Sequence, residues 1–158
     1  MNSPDLQAVV FGLDDEVFAL SVDAVREILD HRAASQLPNA PSWLMGLMDV
    51  RGESVPVIDL RGRLGLSPVP VTTTTRILVV DLDMGGRHLV LGLIVDRVLE
   101  VATFAAGALE TVPDIGIRWR SDHVAGVVQR EGGFIMLLDL PAIFDGAALP
   151  TAPVAQAP

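Results

Sequence analysis

The feature that most limits what this chain can fold into is that it nearly repeats itself. Val22-Asp23-Ala24-Val25-Arg26-Glu27 has the form Val-Asp-x-Val-x-Glu, and Val95-Asp96-Arg97-Val98-Leu99-Glu100 has it again at an offset of 73. Gly46 to Leu60 then lies without a gap over Gly126 to Leu140 at an offset of 80, with Gly52 on Gly132 and Val57-Ile58-Asp59-Leu60 on Leu137-Leu138-Asp139-Leu140. Two matches in the same order at similar offsets describe a duplication. The second connector is the longer, where Phe104 to Trp119 carries Gly107, Pro113 and Gly116. Each copy is too small to bury much surface alone, so the copies must pack together.

Within each copy short apolar runs alternate with turn residues, the pattern of strands. Leu47 to Val50 and Val55 to Leu60 flank Arg51-Gly52-Glu53-Ser54, so Gly46 to Arg61 reads as a β-hairpin whose Gly52 takes the positive φ of a tight turn. Gln7 to Leu13 and Val17 to Ser21 make an opening hairpin about the acidic turn Asp14-Asp15-Glu16. Ser21 caps a short helical turn through Val25, with Asp23 at its positive end. Asp30 to Ser42, with Pro38, Asn39 and Pro41, is a surface connection. Arg61 to Leu66 fits one helical turn, and Ser67 to Thr75 an extended crossover. Arg76 to Asp83 and a long strand from His88 to Val98 pair about Met84-Gly85-Gly86. The prediction is an all-β architecture of two small barrels, which protects sheet edges and lets the halves share a core. The domain spans 7–145. The first barrel is mainly 15–75 and the second mainly 76–145, an exchange of the N-terminal strand between them being left open. The alanine- and proline-rich 146–158 reads as a disordered tail.

Composition removes whole classes of function. Eleven basic against twenty acidic side chains give a net charge of −9, the wrong sign for nucleic acid or anionic lipid. The apolar run Leu89 to Val95 is far short of the ~20 residues of a membrane helix, and no secretory signal is visible. Zero cysteines exclude disulfides and thiolate chemistry and fit a cytoplasmic location. His31, His88 and His123 lack the spacing of helical metal sites. Asp81-Leu82-Asp83 puts two carboxylates on one strand face, which an ordinary strand end also does. No nucleophile elbow, phosphate-binding loop or dinucleotide fingerprint occurs. The reading calls for no enzyme, cofactor or metal. A small-molecule-binding double barrel, or a hydrolase built on Asp81 and Asp83, is the rival from another class.

The repeat also separates scaffold from function. Gly52, Asp59 and Glu27 have counterparts in Gly132, Asp139 and Glu100, so the fold explains them. Arg51 is different, because its counterpart is Glu131. Both copies can form the hairpin, yet only one puts an arginine on its tip, which favours a partner-binding role.

The hairpin residues Gly46-Leu47-Met48-Asp49-Val50-Arg51-Gly52 and Val55-Pro56-Val57-Ile58-Asp59-Leu60-Arg61, with Val25-Arg26-Glu27-Ile28 before them and Gly92-Leu93-Ile94-Val95-Asp96-Arg97-Val98 after, resemble the CheW family of bacterial chemotaxis coupling proteins over Gln7 to Phe144. The resemblance implies two SH3-like five-stranded β-barrel subdomains with short helices, a hydrophobic groove between them, and no catalysis. It implies a scaffold that links the cytoplasmic tips of chemoreceptors to a CheA-type histidine kinase, whose regulatory domain shares the fold and packs against it end to end. Such a protein is cytoplasmic, recruited to membrane-associated receptor arrays without inserting in the membrane. Val25, Gly46 and Arg51 fall at receptor-binding positions, and Asp49, Val50 and Gly52 complete the receptor- and kinase-binding stretch. Glu27 falls where a carboxylate pairs with the hairpin arginine. The family commonly has asparagine where Asp49 stands, so Glu27 and Asp49 compete for Arg51. The same adaptor in pilus motility or development is the alternative. The chain lacks the receiver domain of the CheV type.

Overall fold

A computed structural model of the protein describes residues 5–112 and 123–145. The alanine- and proline-rich tail and much of the second connector therefore lie outside the described residues. Among the described residues eleven strands form two mixed sheets. One contains β3 (Val25–Asp30), β6 (Arg76–Met84), β7 (Arg87–Val95), β5 (Glu53–Asp59) and β4 (Leu44–Val50), in that order. The other contains β8 (Arg97–Phe104), β1 (Leu6–Leu13), β2 (Glu16–Ser21), β11 (Gly133–Leu138), β10 (Val124–Arg130) and β9 (Leu109–Glu110). Each sheet closes on itself. Beyond β3, Ser35 exchanges two backbone hydrogen bonds of 2.8 Å with Leu47 of β4; beyond β8, β9 pairs with β10. Closure leaves few unpaired strand edges.

The duplication is visible bond for bond. Val57 of β5 stands beside Gly92 of β7 in parallel, and Leu137 of β11 beside Ala19 of β2, at the offsets of 80 and 73. Both antiparallel hairpins slip register at the same place, between Leu44 and Gly46 and between Val124 and Gly126. However, each barrel takes its first hairpin from the other half of the chain. β1 and β2 join β8 to β11, while β6 and β7 join β3 to β5. The sheets thus divide the chain near residues 24 and 96, not near 75, and both hairpins are exchanged. The cause is local: the 3-10 turn Val22–Ala24 and the single residue Asp96 are sharp corners that send the next strand into the other barrel. For the same reason the strand expected over His88 to Val98 breaks at Asp96.

Exchange explains the apolar pattern. β1 and β6 lie between a barrel interior and the joint between barrels, so both faces are covered and their sequences read as near-continuous hydrophobic runs. From β6, Ile77 and Val79 point into the first barrel with Met48, Val50, Val55 and Val57. Leu78, Val80 and Leu82 meet Val9, Phe11 and Leu13 of β1 in the larger cluster joining the barrels. Ala8, Val10, Ala19, Val128 and Ile135 fill the second barrel. β4, covered on one face, alternates buried and more exposed residues. Pro56 is tolerated within β5 because Leu47 opposite it bonds Ser35 instead, which turns the Pro56 nitrogen toward β7, where the parallel pairing begins only at Val57. Helices α1 (Leu60–Arg63) and α2 (Leu140–Phe144) follow the repeated hairpins, each capped by the repeated aspartate, Asp59 or Asp139.

Candidate functional site

The β4–β5 turn is built from Arg51 at φ 53° and Gly52 at φ 82°. Two positive φ values make the tight turn that matches strand twist. Glycine enters that region freely, but a side chain there is held against a strain of about 1–2 kcal/mol. Its place is fixed by three arginines. Arg51 donates from Nε to Glu27 Oε2 at 3.0 Å and from Nη2 to Glu27 Oε1 at 3.1 Å, a two-point bond. Arg26 donates from Nη1 to Glu53 Oε1 at 3.1 Å. Arg32 donates from Nη2 to the Asp49 carbonyl at 2.8 Å. The competition for Arg51 is thereby resolved. Glu27 holds it, and the Asp49 side chain is exposed without a bond to Arg51.

Arg51 remains 81% exposed while Glu27 is only 21% exposed, so the carboxylate is a footing and the guanidinium is displayed. The hydrogen bond from Arg51 lowers the Glu27 carboxyl below the ordinary glutamate range, and partial burial opposes the shift. The depressed value means that the pairing contributes at neutral pH and is lost as pH falls through the Glu27 titration. Arg51→Ala is expected to move that titration upward, as read from the Glu27 carboxyl carbon by NMR; an unmoved titration would refute the pairing in solution.

The other sequence-derived positions differ in depth, and the Val50 side chain is turned into the core rather than toward a partner. Val25 starts β3 and packs partly against the joint between barrels. Gly46 is buried at φ 143°, and a Cβ there would stand 2.0 Å from the Ser35 carbonyl oxygen. Val50 is 6% exposed, with its side chain in the first barrel. Gly52 is exposed with open space around it. Alongside the turn runs a groove of about 690 Å³, lined by Leu47, Glu53, Pro56, His88, Leu89 and Leu91.

Several residues emerge only in three dimensions. Ile28 and Val101 occupy equivalent places in the repeat and are 39% and 63% exposed. They pair with Leu78 and Val9, whose side chains enter the joint between the barrels. The offset of 73 was the signal that could have linked them. Arg61 is 4% exposed and bonds Asp14 at 2.7 Å and Asp96 at 2.8 Å. Asp81 is committed to Arg26 at 2.8 Å and lies 2.8 Å from His88 Nε2, while Asp83 is largely solvated. The two carboxylates do not converge as a hydrolytic pair. Among the described residues no group of three His, Asp or Glu side chains is placed to hold a metal ion.

Known proteins share this sequence pattern and fold. The model of the CheW-like domain matches residues 7–148. The chain is 29% identical to a probable chemotaxis protein CheW of Rhizobium etli, over 91% of this chain and 90% of that one. It is 30% identical to the chemotaxis protein CheW of Rhizobium meliloti, over 87% and 86% of the two chains. The crystal structure of scaffolding protein TtCheW from Thermoanaerobacter tengcongensis superposes with a TM-score of 0.77 at 27% identity, covering 90% of each chain. The repeated barrels, the hairpin arginine on its carboxylate footing and these likenesses lead to one conclusion: the chain belongs to the CheW-like domain family.

Proposed function

We propose that this protein is a non-catalytic adaptor that couples the cytoplasmic tips of chemoreceptors to the regulatory domain of a CheA-type histidine kinase, working in the cytoplasm at membrane-associated receptor arrays. Membership of the CheW-like family supports the scaffold role, and the relatives named as chemotaxis proteins support the pathway. Among the described residues no helix is long and apolar enough to cross a membrane. The observation that carries the site is the Arg51–Glu27 bond: a strained, displayed guanidinium present on one barrel, where the other carries Glu131. Strain retained at an exposed residue points to function rather than stability. Arg51 fixes register by charge, and the partly exposed Val25 and Ile28 supply apolar contact on the neighbouring strand.

Arg51→Ala is expected to weaken capture of a receptor cytoplasmic fragment or the kinase by roughly tenfold, the scale of an interfacial arginine anchor. Its circular dichroism and thermal midpoint stay near those of the parent, because the pair is largely exposed. Undiminished capture would remove Arg51 from the interface. Binding of ATP to the isolated protein in a calorimeter would count against the adaptor reading itself.

A further inference from the structure

We propose that Arg26 is the positioning residue of the Arg51 site, tying the β4–β5 turn to β3 through Glu53 so that the displayed guanidinium keeps its place on Glu27. The proposal rests on the adaptor reading for its functional consequence, while its structural part stands alone.

Arg26 lies in a β-bulge, since the pairing of β3 with β6 slips between Val25 and Glu27. A bulge frees one residue from the ladder and re-aims its side chain. Arg26 is aimed across the barrel at both ends of a short path: Nε donates to Asp81 Oδ2 of β6 at 2.8 Å, and Nη1 donates to Glu53 Oε1 at 3.1 Å. Glu53 follows Gly52 directly, so Arg26–Glu53 and Glu27–Arg51 are two adjacent crossings between the same bulge and the same turn. Asp81 keeps Arg26 from swinging away. Because both crossings are substantially exposed, they add little to stability; what they do is restrict the turn.

The duplication shows that the fold does not need this arrangement. The second barrel has the same bulge, between Val98 and Glu100 of β8. There the bulged residue is Leu99, and the counterparts of Arg51 and Glu53 are Glu131 and Gly133. The second turn is held by neither crossing. The bulge and its glutamate, Glu27 or Glu100, belong to the scaffold, whereas Arg26, Arg51 and Glu53 belong to one barrel only.

The test has two readouts. In free, nitrogen-15-labelled protein, the Arg51 Nε–H bonded to Glu27 is expected to exchange more slowly than that of an unbonded arginine, and Arg26→Gln to speed that exchange at least threefold with an unchanged thermal midpoint. Glu53→Gln, at an exposed turn position, must reproduce the effect, which keeps the test sound if Arg26→Gln folds poorly. In partner capture, Arg26→Gln is expected to weaken binding severalfold in the parent and to add nothing in an Arg51→Ala background. Unchanged Arg51 exchange in both variants overturns the proposal, and so do losses that multiply in the double variant. Faster exchange in a protein whose partner binding ignores Arg51→Ala would keep the positioning and reject the adaptor site.

Discussion

Arg61→Ala is expected to lower the free energy of unfolding by about 3 kcal/mol, the lower end of the cost of breaking a buried ion pair by removing one partner. The Arg61 side chain is 5% exposed, while Asp96 is 19% and Asp14 53% exposed. Its Nη1 bonds both carboxylates, and its Nε donates to the Ser67 carbonyl at 2.8 Å. The Asp14 N–H adds a bond to Asp96 at 2.8 Å. These partners come from different parts of the duplicated fold: Arg61 from the helix after β5, Asp14 from the turn of the exchanged hairpin β1–β2, and Asp96 from the corner between β7 and β8. Removing the guanidinium strands Asp96 in a half-dry joint, whereas Asp14 can turn to water, which is why the lower figure applies. For a chain of this size the loss amounts to a fall of roughly 6–12 °C in thermal midpoint. Arg61→Lys keeps the charge, but its single nitrogen cannot stand at both the Nη1 and the Nε positions, so a smaller loss of about 1 kcal/mol is expected. Urea unfolding of both variants checks the order; a loss below about 1 kcal/mol for Arg61→Ala would show that the node is not a tie between barrels.

The repeat made the architecture legible, and the same repeat hid the exchange. Two equivalent barrels offer a hairpin two equivalent docking places, and periodicity alone cannot choose between them. The decisive residues are the corners, Val22–Ala24 and Asp96, where one strand ends and the next departs. The runs Val9 to Leu13 and Ile77 to Val80 did carry a signal, because strands buried on both faces lose the polar alternation of an outer strand. Arg51 stands out in the sequence by its asymmetry with Glu131. The sequence narrows its partner to two carboxylates, since the choice of Glu27 over Asp49 depends on a bulge that sequence does not display. Arg61 stood in plain view at the end of the hairpin, but Asp14 and Asp96 are 47 and 35 residues away, and no local pattern joins them. Arg26 escaped for the same reason, with Asp81 55 residues away.

Gly46→Ala is expected to be at least as damaging as Arg61→Ala, at about 3–5 kcal/mol, through backbone strain of about 1–3 kcal/mol and the disturbance of two hydrogen bonds worth about 1 kcal/mol each. At φ 143° the added Cβ meets the Ser35 carbonyl oxygen at 2.0 Å, and that oxygen accepts from Leu47 in the bridge that closes the first barrel. Backbone cannot step aside as a flexible side chain does, so the closing segment must lift. Gly52→Ala provides the contrast, because at φ 82° its Cβ would meet nothing within 4 Å, leaving only the left-handed strain of about 1–2 kcal/mol. Equal losses in thermal unfolding of the two variants would show that the contact with Ser35 does not govern. The distinction matters for any binding measured with such variants. Gly46 is buried and offers no side chain, so weakened partner capture by Gly46→Ala should follow the opened barrel and track its fall in midpoint. Arg51→Ala should lose capture with its midpoint held. A Gly46 variant that stays fully folded and still loses its partner would instead place that backbone in the interface.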